Sequence, residues 1–343
     1  MENKKIKVGI NGFGRVGRAF LKIAWEKPEI EIVAVNDLGD IANMAYLLKH
    51  DTVYREWKHD IQVSGSGIMI DGKEVKFISE KDTTKLPWKE LGIDVIVEST
   101  GLFTAFDKAK FHLEQGAKKV VISAPSKKEE GGVHGETILL GVNEEKFGTC
   151  DITSNASCTT NSASPVISIL HESLGIEKAI LNTTHSYTVS QGIVDGPNKK
   201  DYREGRAAAQ NLVPASTGAA ISVTEAITDL AGKFDGVAVR VPTVCGSLTD
   251  ITFISKKNTT KEEVNDILRK AAKDPRWKNI FDVVEEPVVS SDMLGNPHAS
   301  IADLLLTKVV DKNLVKVMTW YDNEMGYTHT LVDHVIKTGN TIK

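Results

Sequence analysis

The chain has 343 residues, of which 41% are hydrophobic and 26% are charged, so each of two domains can bury an apolar core. Its formal net charge is −4 and its lysines and arginines form no long block, which argues against nucleic-acid binding as its main task. Three cysteines without a CxxC pair predict neither a disulfide framework nor a metal site, so we expect a cytoplasmic protein. Because no apolar run reaches membrane-spanning length, we also expect a protein that binds no membrane.

The first third of the chain alternates short apolar runs with helical periodicity, which predicts a parallel sheet with helices on its faces. A strand at residues 6–10 precedes a helix from about Arg15, and later strands are predicted at 32–35, 75–78, 95–97 and 120–122. The last two strands end in STG at 99–101 and SAP at 123–125. Small polar residues at strand ends are typical of a ligand crevice in a Rossmann-type, doubly wound α/β domain.

The pattern changes after about residue 157, where alternating strands dominate and helical crossovers become fewer. Strands are predicted at 179–184, 237–241, 248–255, 283–284 and 314–320. This favours a second, α+β domain with a largely antiparallel sheet. We expect a first domain at 1–157 and a second domain at 158–323. The polar segment 185–207 has little periodicity, as functional loops often do.

A glycine-rich turn follows the first strand and opens the first helix, as a dinucleotide-binding motif requires. Gly12 would permit the tight turn, Gly14 the approach of the pyrophosphate, and Gly17 the packing of helix against strand. Asp37 lies at the end of the second strand, 20 residues after Gly17. Its carboxylate can accept from ribose hydroxyls and would repel a 2′-phosphate, so NAD is favoured over NADP.

Cys158 is the candidate nucleophile, because it stands in a polar segment of helix-capping residues before an apolar helix. A helix N-terminus stabilises a thiolate, which is the reactive form. A nucleophilic cysteine also needs a base, and His185, at the end of a predicted strand, is best placed among nine histidines. We read Cys150 and Cys245 as buried small residues, and His112 among other histidines as surface.

These segments together resemble the phosphorylating glyceraldehyde-3-phosphate dehydrogenase family, from residue 5 to near the C-terminus. The matching segments are NGFGRVGR at 11–18, AVNDL at 34–38, SNASCTTN at 154–161, HSYT at 185–188, RAAA at 206–209, STGAA at 216–220, RVPT at 240–243 and WYDNEMGY at 320–327. The resemblance implies that Cys158 attacks the aldehyde and that His185 activates the thiol. It also implies that inorganic phosphate cleaves the resulting thioester, that the chain forms a homotetramer, and that a last helix, about 324–343, packs back on the first domain.

The resemblance also assigns ligand contacts to individual residues. The residues assigned to the incoming inorganic phosphate are Ser157, Thr159, Thr217 and Gly218. The substrate's own phosphate is assigned to Thr188 and Arg240. The residues assigned to the cofactor beyond the glycines and Asp37 are Arg15 and Val16 at the pyrophosphate, Lys81 and Ser123 nearby, and Asn323 at the nicotinamide amide.

Three residues depart from the family pattern. Glu204 stands where the second of two adjacent arginines is usual, Ser190 replaces a frequent aspartate, and Ser162 replaces a frequent second cysteine. The polar segment 185–207, which contains Ser190 and Glu204, carries an extra residue around 198–200. Two alternatives remain open from the sequence: an erythrose-4-phosphate dehydrogenase, and a non-catalytic NAD-sensing protein that would need no reactive thiol.

Overall fold

A computed structural model describes residues 4–126, 132–199 and 201–342. The chain divides into two compact units. Unit 1 comprises residues 1–138, 144–156 and 328–343, and unit 2 comprises residues 139–143 and 157–327.

Unit 1 contains one large mixed sheet. Its strands, among the described residues, are β1 (Ile6–Asn11), β2 (Ile30–Asn36), β5 (Ile61–Ser64), β6 (Gly67–Ile70), β7 (Lys73–Ile78), β8 (Val95–Glu98), β9 (Lys119–Ile122), β10 (Gly135–Thr137) and β11 (Ile152–Ser154). A separate small pair is formed by β3 (His50–Asp51) and β4 (Arg55–Glu56). The order β10-β11-β9-β8-β1-β2-β7 is parallel throughout, and β6 and β5 continue it in antiparallel fashion.

Helices connect the parallel strands of unit 1. They are α1 (Arg15–Trp25), α2 (Ile41–Lys49), α3 (Phe106–Ala109) and α4 (Phe111–Glu114). In α1, the residues Ala19, Phe20 and Ala24 are buried, in agreement with the predicted helical spacing. The side chain of Asp40 caps α2 by accepting from the backbone N–H of Asn43. These features confirm the predicted α/β fold of the first domain.

Unit 2 contains a second, largely antiparallel sheet. Its strands, among the described residues, are β12 (Ile176–Ser186), β13 (Val213–Ser216), β14 (Phe234–Val241), β15 (Ser247–Ser255), β16 (Phe281–Val284), β17 (Ser300–Asp303), β18 (Lys308–Val310) and β19 (Leu314–Tyr321). The order is β13-β14-β12-β15-β19-β17-β16, with β18 paired to β19. The pairs β12–β14 and β16–β17 are parallel and the others are antiparallel. The predicted architecture of the second sheet is therefore confirmed.

Three helices of the described part of unit 2 are α5 (Cys158–Leu174), α6 (Ala219–Ala226) and α7 (Lys261–Ala271). The long helix α5 is buried along most of its length and packs against both α6 and α7. The last helix, α8 (Met325–Gly339), begins in unit 2 and continues in unit 1. Within unit 1 its His334 ring packs edge-on against Phe147, with ring centroids 4.9 Å apart.

Candidate active site

The turn between β1 and α1 is built for close backbone contacts. Gly12 has a φ of +95°, and a Cβ there would lie 2.6 Å from the backbone nitrogen of Thr100. A Cβ on Gly17 would collide with the carbonyl oxygen of Gly12, so α1 can approach the turn only without a side chain. Around Gly14, in contrast, the space within 4 Å is open. A ligand can therefore reach the backbone there.

A cavity of about 460 Å³ lies beside this turn in unit 1. Its lining residues are Asn11, Gly12, Gly14, Asn36, Asp37, Leu38, Glu80, Lys81, Thr83, Leu86, Ser99, Thr100, Leu102 and Phe103. Gly14 is the N-cap of α1 and offers no side-chain capping bond, so the first amides of that helix are not capped from within. Two backbone amides hold Asp37, from Phe13 at 2.7 Å and from Gly39 at 2.8 Å.

The other residues assigned to the cofactor are less uniform in position. Lys81 lines the cavity, whereas Ser123 follows β9 and donates its N–H to the carbonyl of Glu98 over 2.9 Å. The Arg15 side chain pairs with Asp51 at 2.5 Å, and Val16 is half-buried in α1. The Arg15 guanidinium is thus engaged with Asp51.

A buried hydrogen-bonded cluster holds the strand ends behind the cavity. The carboxylate of Glu98 accepts from Asn11 Nδ2 at 2.7 Å and contacts His112 Nε2 at 2.9 Å. Trp88 Nε1 donates to His112 Nδ1 over 2.9 Å. Since an indole only donates, His112 carries its proton on Nε2 and donates to Glu98. The interpretation of His112 as a surface residue was wrong: it is fully buried, although its sequence neighbours are charged.

Cys158 is the first residue of α5, in agreement with the sequence prediction. Ser157 is the N-cap, and its Oγ accepts from the N–H of Thr160 over 3.1 Å. Ala156 has a φ of +54°, a left-handed conformation that is strained for alanine and turns the chain into the helix. Desolvation raises the pKa of the Cys158 thiol, while the charge of Arg240 and hydrogen bonds from Thr159 act in the opposite direction. Burial therefore outweighs the charge of Arg240 and these hydrogen bonds.

His185 lies at the end of β12, facing the nucleophile. Its Nε2 is 3.4 Å from Cys158 Sγ. The parallel pairing of β12 with β14 places Arg240 beside His185 in register, with Arg240 Nη1 2.5 Å from His185 Nδ1. Burial first, and then the charge of Arg240, lower the pKa of His185 to about 3. The pair is therefore a neutral thiol and a neutral imidazole.

Tyr321 supports this pair and was missed as a site residue in the sequence. Its hydroxyl lies 2.9 Å from Thr159 Oγ1 and 2.9 Å from Thr183 Oγ1, and its ring stands edge-on to His185 at 5.9 Å between centroids. Burial raises the pKa of Tyr321, so it stays a neutral phenol. The Thr159 hydroxyl is thus directed to Tyr321. The sequence signal was the aromatic residue inside the WYDNEMGY segment.

Asn323 lies in the same unit with its amide orientation fixed. Its Oδ1 accepts from Ser186 Oγ at 2.9 Å, from the N–H of Gly246 at 3.0 Å and from Ser247 Oγ at 3.1 Å. These donors hold the carbonyl end, so the amide NH₂ is the end presented to a ligand.

Thr188 belongs to a hydrogen-bonded cluster in the loop after β12. Its N–H donates to Gln191 Oε1 over 2.7 Å, and its hydroxyl lies 3.1 Å from the same oxygen. Gln191 Nε2 donates to Ser190 Oγ at 2.8 Å and to Glu204 Oε2 at 3.2 Å. Glu204 is therefore linked through one side chain to Thr188. Arg203 instead pairs with Asp201 at 2.7 Å on the exposed side of the loop.

Thr217 and Gly218 stand at the start of α6, which packs against α5. Thr217 Oγ1 accepts from the N–H of Ala219 over 3.2 Å. The described contacts thus bring together Cys158, His185 and Arg240. For Thr188, Thr217 and Gly218 they give the local geometry alone. Cys150 and Cys245 are both buried, as expected from the sequence.

Comparison with known proteins gives concordant results for the two parts of the chain. Residues 6–106 match the family model described as glyceraldehyde 3-phosphate dehydrogenase, NAD binding domain, and residues 157–323 match the corresponding C-terminal domain. Glyceraldehyde-3-phosphate dehydrogenase B of Aspergillus oryzae is 44% identical over 95% of this chain and 96% of its own length. The proteins named glyceraldehyde-3-phosphate dehydrogenase from Neurospora crassa and Geobacillus stearothermophilus are each 46% identical, over 96% of both chains.

Proposed function

This chain belongs to the glyceraldehyde 3-phosphate dehydrogenase family, and we propose that it oxidises glyceraldehyde 3-phosphate with NAD and inorganic phosphate to 1,3-bisphosphoglycerate through a thioester on Cys158. The family is one of NAD-dependent aldehyde oxidoreductases with a glycolytic role. The observation that carries the proposal for this chain is the 3.4 Å separation of Cys158 Sγ and His185 Nε2 at the start of α5.

The cavity of unit 1 fits a dinucleotide in its chemistry. The open space at Gly14 and the uncapped amides of α1 suit a pyrophosphate, and the fixed Asp37 carboxylate suits ribose hydroxyls. When bound, NAD supplies the hydride acceptor for the oxidation. We propose that Gly12, Gly14, Arg15, Val16, Gly17, Asp37, Lys81 and Ser123 hold it, and that the amide NH₂ of Asn323 donates to the nicotinamide amide.

We propose that Cys158 Sγ adds to the aldehyde carbon while His185 Nε2 takes up the thiol proton and donates it to the former carbonyl oxygen. This gives the hydroxyl of the hemithioacetal and returns His185 to a neutral imidazole. His185 then accepts the hydroxyl proton of the hemithioacetal as that carbon is oxidised to the thioester. Tyr321 contributes by holding Thr159 and the face of the imidazole in place. Phosphate attack on the thioester carbon finally breaks the C–S bond and restores Cys158.

Two anion sites complete the proposal. Arg240 and Thr188 are assigned to the phosphate of the substrate, because a guanidinium fork binds phosphate oxygens well. Ser157, Thr159, Thr217 and Gly218 are assigned to the attacking inorganic phosphate. The hydroxyl of Thr159 can donate to the phosphate while it accepts from Tyr321, because either hydroxyl can be the donor of that pair.

We also propose a homotetramer, with NAD binding in residues 1–157, catalysis in 158–323 and the last helix packed on the first domain. The loop after β12 supports self-association, because its Val189, Ile193 and Tyr202 are 94%, 84% and 87% exposed. Light scattering should then give four times the 37.4 kDa chain mass. No helix in the described part of the chain is long and apolar enough to cross a membrane. A cytoplasmic location remains a prediction from the cysteine usage.

An absorbance assay at the reduced-nicotinamide band tests the proposed activity. Glyceraldehyde 3-phosphate and NAD should give sustained turnover with phosphate present and at most about one turnover per site without it. Erythrose 4-phosphate should be oxidised more slowly under the same conditions. A faster rate on erythrose 4-phosphate, or sustained turnover without phosphate, would overturn the proposed substrate or the proposed thioester route.

A further inference from the structure

One ring nitrogen of His185 has two competing partners. Nδ1 lies 2.7 Å from the carbonyl oxygen of Ser186 and 2.5 Å from Nη1 of Arg240. A carbonyl only accepts hydrogen bonds, and a guanidinium only donates them. With a proton on Nδ1 the imidazole satisfies Ser186, and without that proton it satisfies Arg240. It cannot satisfy both.

Whether Nδ1 carries a proton determines whether Nε2 can accept one. In a neutral imidazole only one nitrogen carries a proton. While Arg240 donates to Nδ1, the proton is on Nε2, which then cannot accept the proton of Cys158, 3.4 Å away. When Nδ1 donates to Ser186 instead, Nε2 is free to act as a base. The tautomer of His185 therefore determines whether the thiol can be activated.

In the described part of the chain, the Arg240 guanidinium has only some of its hydrogen-bonding groups satisfied. Its Nε is buried without a hydrogen-bond partner, and within the described ranges it forms no ion pair with a carboxylate. Its remaining contact is between Nη1 and the carbonyl oxygen of Ser186, at 3.3 Å. Among the described residues, the charged or titratable groups that contact the Cys158–His185 pair are Arg240 from β14 and Tyr321 from β19. An oxyanion at the edge formed by Nε and Nη2 would satisfy Nε of Arg240 and, by pulling the guanidinium toward itself, draw Nη1 away from the ring.

We propose that an oxyanion bound to Arg240 converts His185 from the Nε2–H to the Nδ1–H tautomer and thereby makes it a base for Cys158. This inference rests on the proposed function and deepens it, because the phosphate of the substrate would switch on the nucleophile as well as anchor the aldehyde. Nε2 releases a proton to water and Nδ1 takes one up, with no net change of charge. The proton of Cys158 Sγ then moves to Nε2. The products are a thiolate and an imidazolium that donates to Ser186 through Nδ1.

Nitrogen NMR of the full chain labelled with ¹⁵N-histidine tests the tautomer directly, with His185→Asn used to assign the signal. The probes are inorganic phosphate, glycerol 3-phosphate as a phosphate ester without an aldehyde, and chloride at equal ionic strength. We expect Nε2–H in chloride and Nδ1–H with either oxyanion. Alkylation of Cys158 by iodoacetamide at pH 7 should accelerate by about 10-fold, equivalent to one pKa unit of thiol ionisation. The more potent anion tells whether an ester or free phosphate occupies Arg240.

Arg240→Met removes the donor and the charge while keeping a long side chain. It should place His185 in the Nδ1–H form and make Cys158 reactive without any anion, and further anion should have no effect. Arg206→Met is the matched control, because Arg206 is exposed and pairs with Asp195 at 3.0 Å. It should respond to anions like the unmodified chain.

Two results would overturn the inference: a His185 tautomer that is the same with and without oxyanion, or an anion response that persists in Arg240→Met. Either result in a chain that still oxidises glyceraldehyde 3-phosphate would leave the proposed function intact. Absence of dehydrogenase activity would overturn the proposed function itself.

Discussion

Cys158 and His185 come from different elements, α5 and β12, and meet with Sγ and Nε2 3.4 Å apart. The cap at Ser157 sets the start of α5, and the pairing of β12 with β14 and β15 sets the depth of His185. Neither group is activated by its position alone, since desolvation raises the pKa of the thiol and lowers that of the imidazole. The fold therefore brings the two groups together, and a bound ligand is needed to activate them.

Replacing Cys158 by serine should abolish turnover while NAD binding is retained. Serine is a far weaker nucleophile beside an imidazole of lowered basicity, whereas the cofactor cavity is built from other segments. Steady-state rates and a fluorescence titration with NAD measure the two effects. Cys150→Ser is the control, since Cys150 is buried in unit 1 and donates to the carbonyl of Ile152. Substantial activity in Cys158→Ser would refute the assignment.

His185→Asn should lower kcat by roughly 10²-fold or more, the scale of general acid–base catalysis. Its effect on Cys158 depends on the anion. Because the pKa of His185 is lowered to about 3, the imidazole is neutral above that pH and lends the thiolate no charge in anion-free buffer. Iodoacetamide should then react only as pH rises above the ordinary thiol range, in both proteins. With phosphate present, the unmodified chain should react at lower pH than the variant. Coincident profiles in phosphate would exclude His185 as the partner.

The preference for NAD over NADP should depend on Asp37. The backbone N–H groups of Phe13 and Gly39 hold its carboxylate at the cavity, where it would accept from ribose hydroxyls and repel a 2′-phosphate. Asp37→Ala should lower kcat/KM for NAD by about 10-fold or more, the value of a hydrogen bond to a charged group, and raise it for NADP. Asp40→Asn, which changes an exposed helix cap, is the matched control. Equal use of both cofactors by the unmodified chain would contradict this role.

The sequence predicted most strands that carry the site, because buried strands such as β8 and β9 form unbroken apolar runs. It did not predict the hairpin of β5 and β6, since β5 is largely exposed and its alternation is weak. The sequence also did not predict side-chain contacts between residues that are far apart in the chain. Tyr321 meets Thr183 across 138 positions, and the competition at His185 Nδ1 arises from strand register. His112 was misread because local charge says nothing about tertiary burial.

Glu204 is one of the residues at which the loop after β12 departs from the family pattern. The sequence allows two conformations of this loop. In the first, the Glu204 carboxylate faces the substrate phosphate. In the second, the loop is shifted, the carboxylate turns away, and Lys199, Lys200 or Arg203 supplies a positive charge to the phosphate. The described contacts favour the first conformation. Glu204 accepts a hydrogen bond from Gln191, which in turn binds Thr188. Arg203, in contrast, is 61% exposed and paired with Asp201. Lys200 lies outside the described residues.

Glu204→Arg should therefore lower KM for glyceraldehyde 3-phosphate by roughly 5-fold, about 1 kcal/mol for one charge interaction near water, with little change in kcat. The KM of Glu204→Gln should lie between those of the unmodified chain and Glu204→Arg, because this variant removes the negative charge without adding a positive one. Unphosphorylated glyceraldehyde is the control substrate, whose KM should not respond. The difference between the variants should shrink as salt is raised, since salt screens charge interactions. An unchanged KM in Glu204→Arg together with a raised KM in Arg203→Ala would instead establish the shifted loop, because Arg203 would then be the residue that contacts the phosphate.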